Sequence, residues 1–178
     1  TYIKAARLFD SEAGRFVGPR IIRVKGRMID SVAETMSIAA GAKVIDLSRY
    51  AVLPGLIDAH THLLYLEDPE AGNLTGEGTK AVIVEGTPLR ALRGAARART
   101  FLDAGITAVR DLGNSGRFGD VALKTAIADG SVPGPRMFIS GPGLSPIGGQ
   151  FPGLVPEHIK IAEDEYRIVR SPDDAAEA

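Results

Sequence analysis

Two of the chain's three histidines, His60 and His62, are separated by a single residue. Side chains alternate between the faces of a strand, so Asp58, His60 and His62 would project to one side and the imidazoles could converge on one ion. Neutral imidazole suits zinc, and a nearby carboxylate can orient such a ligand. The spacing alone is compatible with metal ligands at His60 and His62 and Asp58 behind them, but it is a weak signal. The alternative is a pair of polar residues where a strand emerges into solvent. Four apolar residues upstream predict that this strand is buried: Val52, Leu53, Leu56 and Ile57.

Three stretches of the chain together resemble one enzyme superfamily. Residues 54–63 (PGLIDAHTHL) are similar to the first barrel strand of the amidohydrolase superfamily, which carries a Pro-Gly-hydrophobic-Asp-x-His-x-His signature. Residues 104–113 (AGITAVRDLG) and 134–142 (GPRMFISGP) resemble its imidazolonepropionase-like branch, in the same order and at similar spacing. That branch includes Xaa-Pro dipeptidases and carboxypeptidases. The resemblance covers nearly the whole chain and corresponds to the N-terminal portion of such an enzyme.

The resemblance implies a metal-dependent hydrolase that cleaves an amide C–N bond. His60 and His62 would hold one ion of a site with one or two divalent ions, most simply zinc. A carboxylated lysine, further histidines and a proton-transferring aspartate are expected beyond Ala178, so no catalytic residue is assigned within the chain. Metal-activated hydroxide would attack the amide carbonyl of a dipeptide, an N-acyl amino acid or a related amide. Cyclic amide hydrolysis, as in imidazolonepropionase, is one alternative. A non-catalytic fragment or assembly module is another.

Composition limits the partners and the ligand types. The net charge of −1 gives no electrostatic reason to expect nucleic acid or an anionic membrane as a partner. No apolar run reaches the ~18 residues that a membrane helix needs. With no cysteine, a metal must be held by His, Asp, Glu or a modified Lys. We expect a homo-oligomer with a small-molecule amide or peptide substrate, in the cytoplasm. A periplasmic or secreted location stays open because the chain begins at Thr1 rather than Met.

The chain divides into two patterns near residue 52. Residues 1–52 contain short strands and a hairpin turn at 25–27, which predict the N-terminal part of a β-sandwich domain. An independent β domain is the alternative. Residues 53–178 alternate strands and helices, which predicts an α/β fold with about three βα units of a (β/α)8 TIM-type barrel. The 126 residues after residue 52 (178 − 52) are too few for a whole barrel of about 250.

Local signals place the helices of the second part. Thr87 is a predicted N-cap followed by Pro88, and Gly105 would end this helix. A second helix is expected over 118–129, and Ser171 would cap a third. The first helix has a predicted inward face made of Leu89, Leu92, Ala96 and Leu102. Its basic stripe predicts a solvated surface and consists of Arg90, Arg93, Arg97 and Arg99.

Two loops and three single residues complete the candidates. Residues 64–86 could form a substrate lid or a plain solvated insertion, and residues 141–153 form the second loop. Relatives often have a histidine near Gln150, which makes Gln150 a candidate substrate contact. Asp111 could contact substrate, orient a metal ligand or close the corner between a strand and its loop. His158 is expected on the surface. No Gly-x-Ser-x-Gly elbow is present, so serine hydrolase chemistry is not indicated.

Overall fold

The structure is a computed structural model that describes residues 1–65, 82–113, 116–151 and 155–178. The chain separates into two compact units, Thr1–Pro54 and Gly55–Ala178. Among the described helices, none combines the length and apolarity that a membrane crossing requires. Most of the loop 64–86, and with it the predicted lid, lies outside the described residues.

The first unit is a five-stranded sheet. Strand β1 lies at its centre, antiparallel to β2 and β3 and parallel to β5, and β4 continues the sheet beyond β3. The positive φ of Gly26 (56°) allows the tight β3–β4 turn that the sequence predicts. Completion of this sheet into a sandwich remains a prediction. The strands are β1 Tyr2–Asp10, β2 Arg15–Val17, β3 Arg20–Lys25, β4 Met28–Ala33 and β5 Val44–Val52.

The second unit begins with an alternating α/β arrangement. Its three strands are parallel in the order β6-β7-β8, and each connection between them contains a helix, as parallel strands require. These elements are β6 Leu56–Thr61, α1 Thr87–Asp103, β7 Ile106–Asp111, α2 Gly119–Ala128 and β8 Arg136–Ile139. The core between the helices and the sheet consists of Leu63, Leu64, Ala98, Val109, Leu123 and Met137.

A smaller parallel pair follows in the same unit. Strand β9 lies within the segment 141–153, which the sequence predicts to be a loop, and pairs with β10. The side chain of Ser171 accepts the N–H of Asp174 at 3.1 Å and caps the last helix as predicted. These elements are β9 Gly143–Ser145, a 3-10 turn Pro156–His158, α3 Ile159–Glu165, β10 Tyr166–Ile168 and α4 Pro172–Glu177.

The predicted inward face of α1 is wrong. Leu89 and Leu92 are 43% and 72% exposed, whereas the buried residues of the helix are Arg90, Gly94 and Ala98. Gly94 explains part of the difference, since a Cβ there would lie only 3.0 Å from the Cδ1 of Leu64. The helix therefore approaches the core along its small residues. It begins at Thr87 with Gly86, not Thr87, as its N-cap.

The prediction of a solvated arginine stripe is wrong for two of its four members. Arg90 is 2% exposed and Arg97 is half-buried, because both guanidinium groups reach backbone carbonyls beneath the helix. Arg93 and Arg99 are exposed; Arg93 pairs with Glu85, whose side chain is mostly buried, and Arg99 pairs with the exposed Asp103.

The prediction of a buried strand before the histidines is also wrong. Val52 belongs to β5 of the first unit, whereas Leu53, Leu56 and Ile57 are 52%, 54% and 73% exposed. Within the described residues β6 forms the edge of its sheet and pairs with β7 alone. Neither Leu56 nor Ile57 belongs to the core of the described residues, so both side chains stay exposed at this edge.

Candidate metal site

The end of β6 departs from regular pairing just before the histidines. Asp58 is opposite Val109 and Thr61 is opposite Asp111, so three steps along β6 match two along β7. Asp58 Oδ1 accepts the backbone N–H of His60 at 3.1 Å, and Arg110 Nε donates to the carbonyl of Ala59 at 2.7 Å. Side chains thus satisfy backbone groups at the irregularity. Such bulges re-aim side chains next to functional sites.

The imidazoles of His60 and His62 converge. Their Nε2 atoms lie 3.3 Å apart, and their ring centroids are 5.1 Å apart at an interplanar angle of 79°. Two nitrogens bound at ~2.0–2.1 Å to one tetrahedral ion would lie about 3.3–3.4 Å apart. The pair therefore fits two ligand positions of a zinc-like ion. Without an ion, the same distance suits an N–H···N hydrogen bond between the rings.

The second nitrogen of His62 faces a backbone carbonyl. His62 Nδ1 lies 3.4 Å from the carbonyl oxygen of Gly113, in the loop after β7. A carbonyl only accepts, so this contact favours the tautomer with hydrogen on Nδ1 and a lone pair on Nε2. The ring of Tyr65 lies edge-on to His62 with centroids 6.4 Å apart. The lone pair of His62 is thus directed to the side that faces His60.

Asp111 contacts the residues on either side of His62 in the sequence. Its fully buried carboxylate accepts the Thr61 hydroxyl at 3.1 Å and the Leu63 N–H at 2.7 Å. Burial raises the pKa of the Asp111 carboxyl above its ordinary value, and these two hydrogen bonds partly oppose the rise. Asp111 closes the corner between β6 and its loop, which is one of the roles expected for it. Its contact with substrate remains a prediction.

Two arginines of α1 hold the backbone that follows His62. Arg97 Nη1 donates to the carbonyl of Leu63 at 2.7 Å, and Arg90 Nε donates to that of Leu64 at 3.1 Å. Sequence reasoning assigned both arginines to the surface. A signal was present, because residues seven apart lie on the same helix face, and this face also carries Gly94 and Ala98.

A cavity of about 260 Å³ adjoins the histidine pair. Gln150 and His158 do not line it: Gln150 lies in an exposed turn after β9, and His158 is exposed at the end of the 3-10 turn. Among the described residues, no three His, Asp or Glu side chains lie close enough together to hold an ion. The pair thus supplies two ligands, whereas a catalytic zinc usually has three from protein. The lining includes Asp58, His60, His62, Tyr65, Arg97 and Phe101.

Two solved structures share this architecture. A prolidase complexed with N-methylphosphonate-L-proline superposes with a TM-score of 0.73 at 25% identity, over 96% of this chain and 40% of that one. A Xaa-Pro dipeptidase with methionine bound in its active site gives a TM-score of 0.79 at 24% identity, over 99% of this chain and 42% of that one. At the latter identity the likeness concerns the fold.

Sequence comparison gives the family. Imidazolonepropionase of Porphyromonas gingivalis is 33% identical over 102 residues, which are 56% of this chain and 23% of that enzyme. The chain thus spans less than a quarter of this curated relative's length. The model of the amidohydrolase family matches residues 51–170, which include all three motif stretches and make up well over half of the chain. The resemblance drawn from the motifs is therefore confirmed, and the chain belongs to the amidohydrolase family.

Proposed function

We propose that this chain supplies two metal ligands, His60 and His62, to a hydrolase that cleaves amide C–N bonds. The observation that carries the proposal is the 3.3 Å separation of the two Nε2 atoms, which matches adjacent ligands on one tetrahedral ion. Family membership supports it, since this family generally uses divalent metals. Zinc suits the imidazole pair, and the site would hold one or two ions with further ligands from outside these residues, a carboxylated lysine among them.

The residues around the pair would have distinct tasks. His60 and His62 would bind the ion, with the Gly113 carbonyl holding His62 in its ligating tautomer. When bound, a divalent ion supplies a Lewis acid for the substrate carbonyl and lowers the pKa of water. Asp58 would position His60 through its backbone N–H. Tyr65 and Phe101 provide the aromatic part of the cavity lining, where substrate could be held away from water.

The finer fold assignment belongs to the same proposal. Elements β6 to β8 would be the start of a (β/α)8 barrel, and the first unit would be part of a β-sandwich. The parallel order β6-β7-β8 supports this assignment, as do structural neighbours that are more than twice as long as this chain. The histidines follow the C-terminal end of β6, and such strand ends carry the active sites of TIM-type barrels.

For the substrate, we favour an open-chain amide such as a dipeptide or an N-acyl amino acid. The prolidase and the Xaa-Pro dipeptidase among the similar structures support this class. Carboxypeptidase-like action in a homo-oligomer is part of the same hypothesis. A second candidate is hydrolysis of a cyclic amide, and the 33% identity to imidazolonepropionase favours it.

The test begins with the coding sequence beyond the codon for Ala178. An immediate stop codon would favour the non-catalytic module. If the frame continues, the whole protein is purified with zinc and assayed against Xaa-Pro dipeptides, N-acyl amino acids and imidazolonepropionate, with His60→Ala as the matched variant. We expect turnover of one amide class and its loss, together with metal, in the variant. A His60→Ala protein with full metal content and full rate would contradict the proposal.

A further inference from the structure

We infer that the buried ion pair between Arg90 and Glu165 positions the imidazole of His62. This inference rests on the proposed metal-binding role of His62. Arg90 lies on α1 and Glu165 ends α3, 75 residues further along the chain, and their side chains are 2% and 3% exposed. Both guanidinium Nη atoms donate to the carboxylate, and the Nη2–Oε2 distance is 3.2 Å.

The pair contacts both chain segments that determine where His62 lies. Arg90 Nε donates to the carbonyl of Leu64, two residues after His62, at 3.1 Å. Glu165 Oε2 accepts the N–H of Gly116 at 3.3 Å, in the loop whose Gly113 carbonyl meets His62 Nδ1. One ion pair therefore holds the backbone just after the ring and the N–H of Gly116, three residues after the carbonyl that His62 meets.

Gly116 packs closely against the ion pair, which leaves no room for a side chain at this position. Gly116 has a positive φ of 61°, and a Cβ there would lie 2.5 Å from Thr87 Oγ1 and 3.3 Å from Arg90 Nη1. A glycine thus allows the loop to approach both the guanidinium group and the carboxylate. The hydrogen bond to Glu165 also requires one orientation of the Gly116 peptide, because its N–H must point at Oε2.

Stability alone does not require charged residues at this position. Replacing a buried ion pair by apolar residues of similar volume is often neutral or stabilising. An apolar pair, however, offers no donor to the Leu64 carbonyl and no acceptor to the Gly116 N–H. Only a guanidinium group can engage the carboxylate with its Nη atoms while Nε donates elsewhere. The positioning role therefore predicts that a variant which is still folded loses metal affinity and the tautomer preference of His62, which a loss of stability alone would not cause.

The experiment compares Arg90→Met/Glu165→Leu with a matched control, Arg117→Gln/Asp164→Asn. The control removes the exposed ion pair between Arg117 and Asp164, which ties the residue after Gly116 to α3, the helix that Glu165 ends. This pair does not contact Leu64. Each protein is measured for unfolding by urea, for Zn²⁺ affinity by calorimetry and for the His62 tautomer by ¹⁵N NMR without metal. Glu165→Gln, which keeps its size and loses its charge, is measured in the same way.

We expect the buried double variant to stay folded but to unfold at a lower urea concentration, because the Leu64 carbonyl and the Gly116 N–H lose their buried partners. Under conditions where it is folded, its Zn²⁺ affinity should fall by about 10- to 100-fold, the range seen when the outer partners of metal ligands are lost. Its His62 should also lose the preference for hydrogen on Nδ1, and the control should match the wild type. A folded variant with wild-type affinity and tautomer, or a double variant that no longer folds, would overturn the positioning role. If wild-type His62 binds no zinc, the proposed function fails, and the tautomer comparison still decides this inference.

Discussion

The carboxylate of Asp111 accepts the backbone N–H of Leu63 at 2.7 Å, which fixes the residue directly after His62 from the neighbouring strand. The same oxygen accepts the hydroxyl of Thr61, the residue directly before His62, at 3.1 Å. A single buried oxygen of β7 therefore contacts both neighbours of a candidate metal ligand in the sequence. The position of the ligand then depends on a group that does not touch it.

Asp111→Ala should destabilise the second unit. The substitution leaves the Leu63 N–H and the Thr61 hydroxyl buried without this acceptor, and one unsatisfied buried donor costs about 1–3 kcal/mol. Urea unfolding measures the change in the free energy of unfolding. Asp103→Asn is the control, because Asp103 is exposed and pairs only with Arg99 at the surface. Equal stability losses in the two variants would contradict the structural role of Asp111.

The pKa of Asp111 predicts a pH effect of definite sign. Its folded-state pKa is raised by burial above the ordinary 3.8, so the folded chain keeps this proton where the unfolded chain has released it. The contribution of Asp111 to stability is therefore greatest below 3.8 and declines as pH rises through the raised value. Asp111→Asn lacks this decline. Urea unfolding from about pH 3 to about pH 7 should show the stability of the wild type minus that of the variant falling. A stability difference that stays constant or rises with pH would contradict the predicted effect of Asp111.

Much of the fold could be predicted because its signals are local. Gly26, Gly105 and Ser171 mark turns and helix ends through their own backbone or side-chain chemistry, and the structure has these features where expected. The convergence of His60 and His62 is also predicted locally, from alternation along a strand, although β6 ends at Thr61 and its pairing is irregular before that residue. The proline and glycine before β6 mark its start in the same way.

The remaining features depend on contacts distant in sequence. Nothing near Arg90 in the sequence indicates that Glu165, 75 residues away, turns the guanidinium group inward. Whether Leu56 and Ile57 are buried or exposed also depends on which residues pack against them, and the sequence of the strand does not specify these. Both are exposed. Strand β9 forms its hydrogen bonds with β10, which lies beyond a turn and a helix in the sequence. Local patterns therefore missed the helix face, the positioning arginines and the second parallel pair.

Gly55→Ala should disturb the start of β6. A Cβ at residue 55 would lie 2.1 Å from Thr107 Oγ1 and 2.7 Å from Thr107 Cβ, so rotation of the threonine cannot relieve the clash. Overpacking of this kind typically costs about 1–3 kcal/mol. Thermal or urea unfolding measures the loss, and Thr107→Gly should restore part of it in the double variant. Gly18→Ala is the control, because nothing lies within 4 Å of its Cβ position. Equal effects of the two glycine substitutions would contradict the close packing of β6 on β7.

The central claim is that His60 and His62 bind one ion together. The most direct measurement is Zn²⁺ titration of the 178-residue chain by calorimetry, alongside His60→Ala, His62→Ala and His158→Ala. We predict one zinc per chain for the wild type and for His158→Ala, whose histidine is exposed and outside the cavity. Either of the other two variants should lose more than the about 10- to 100-fold typical of outer-partner changes, because a ligand itself is removed. Wild-type affinity in His60→Ala or His62→Ala would contradict the account.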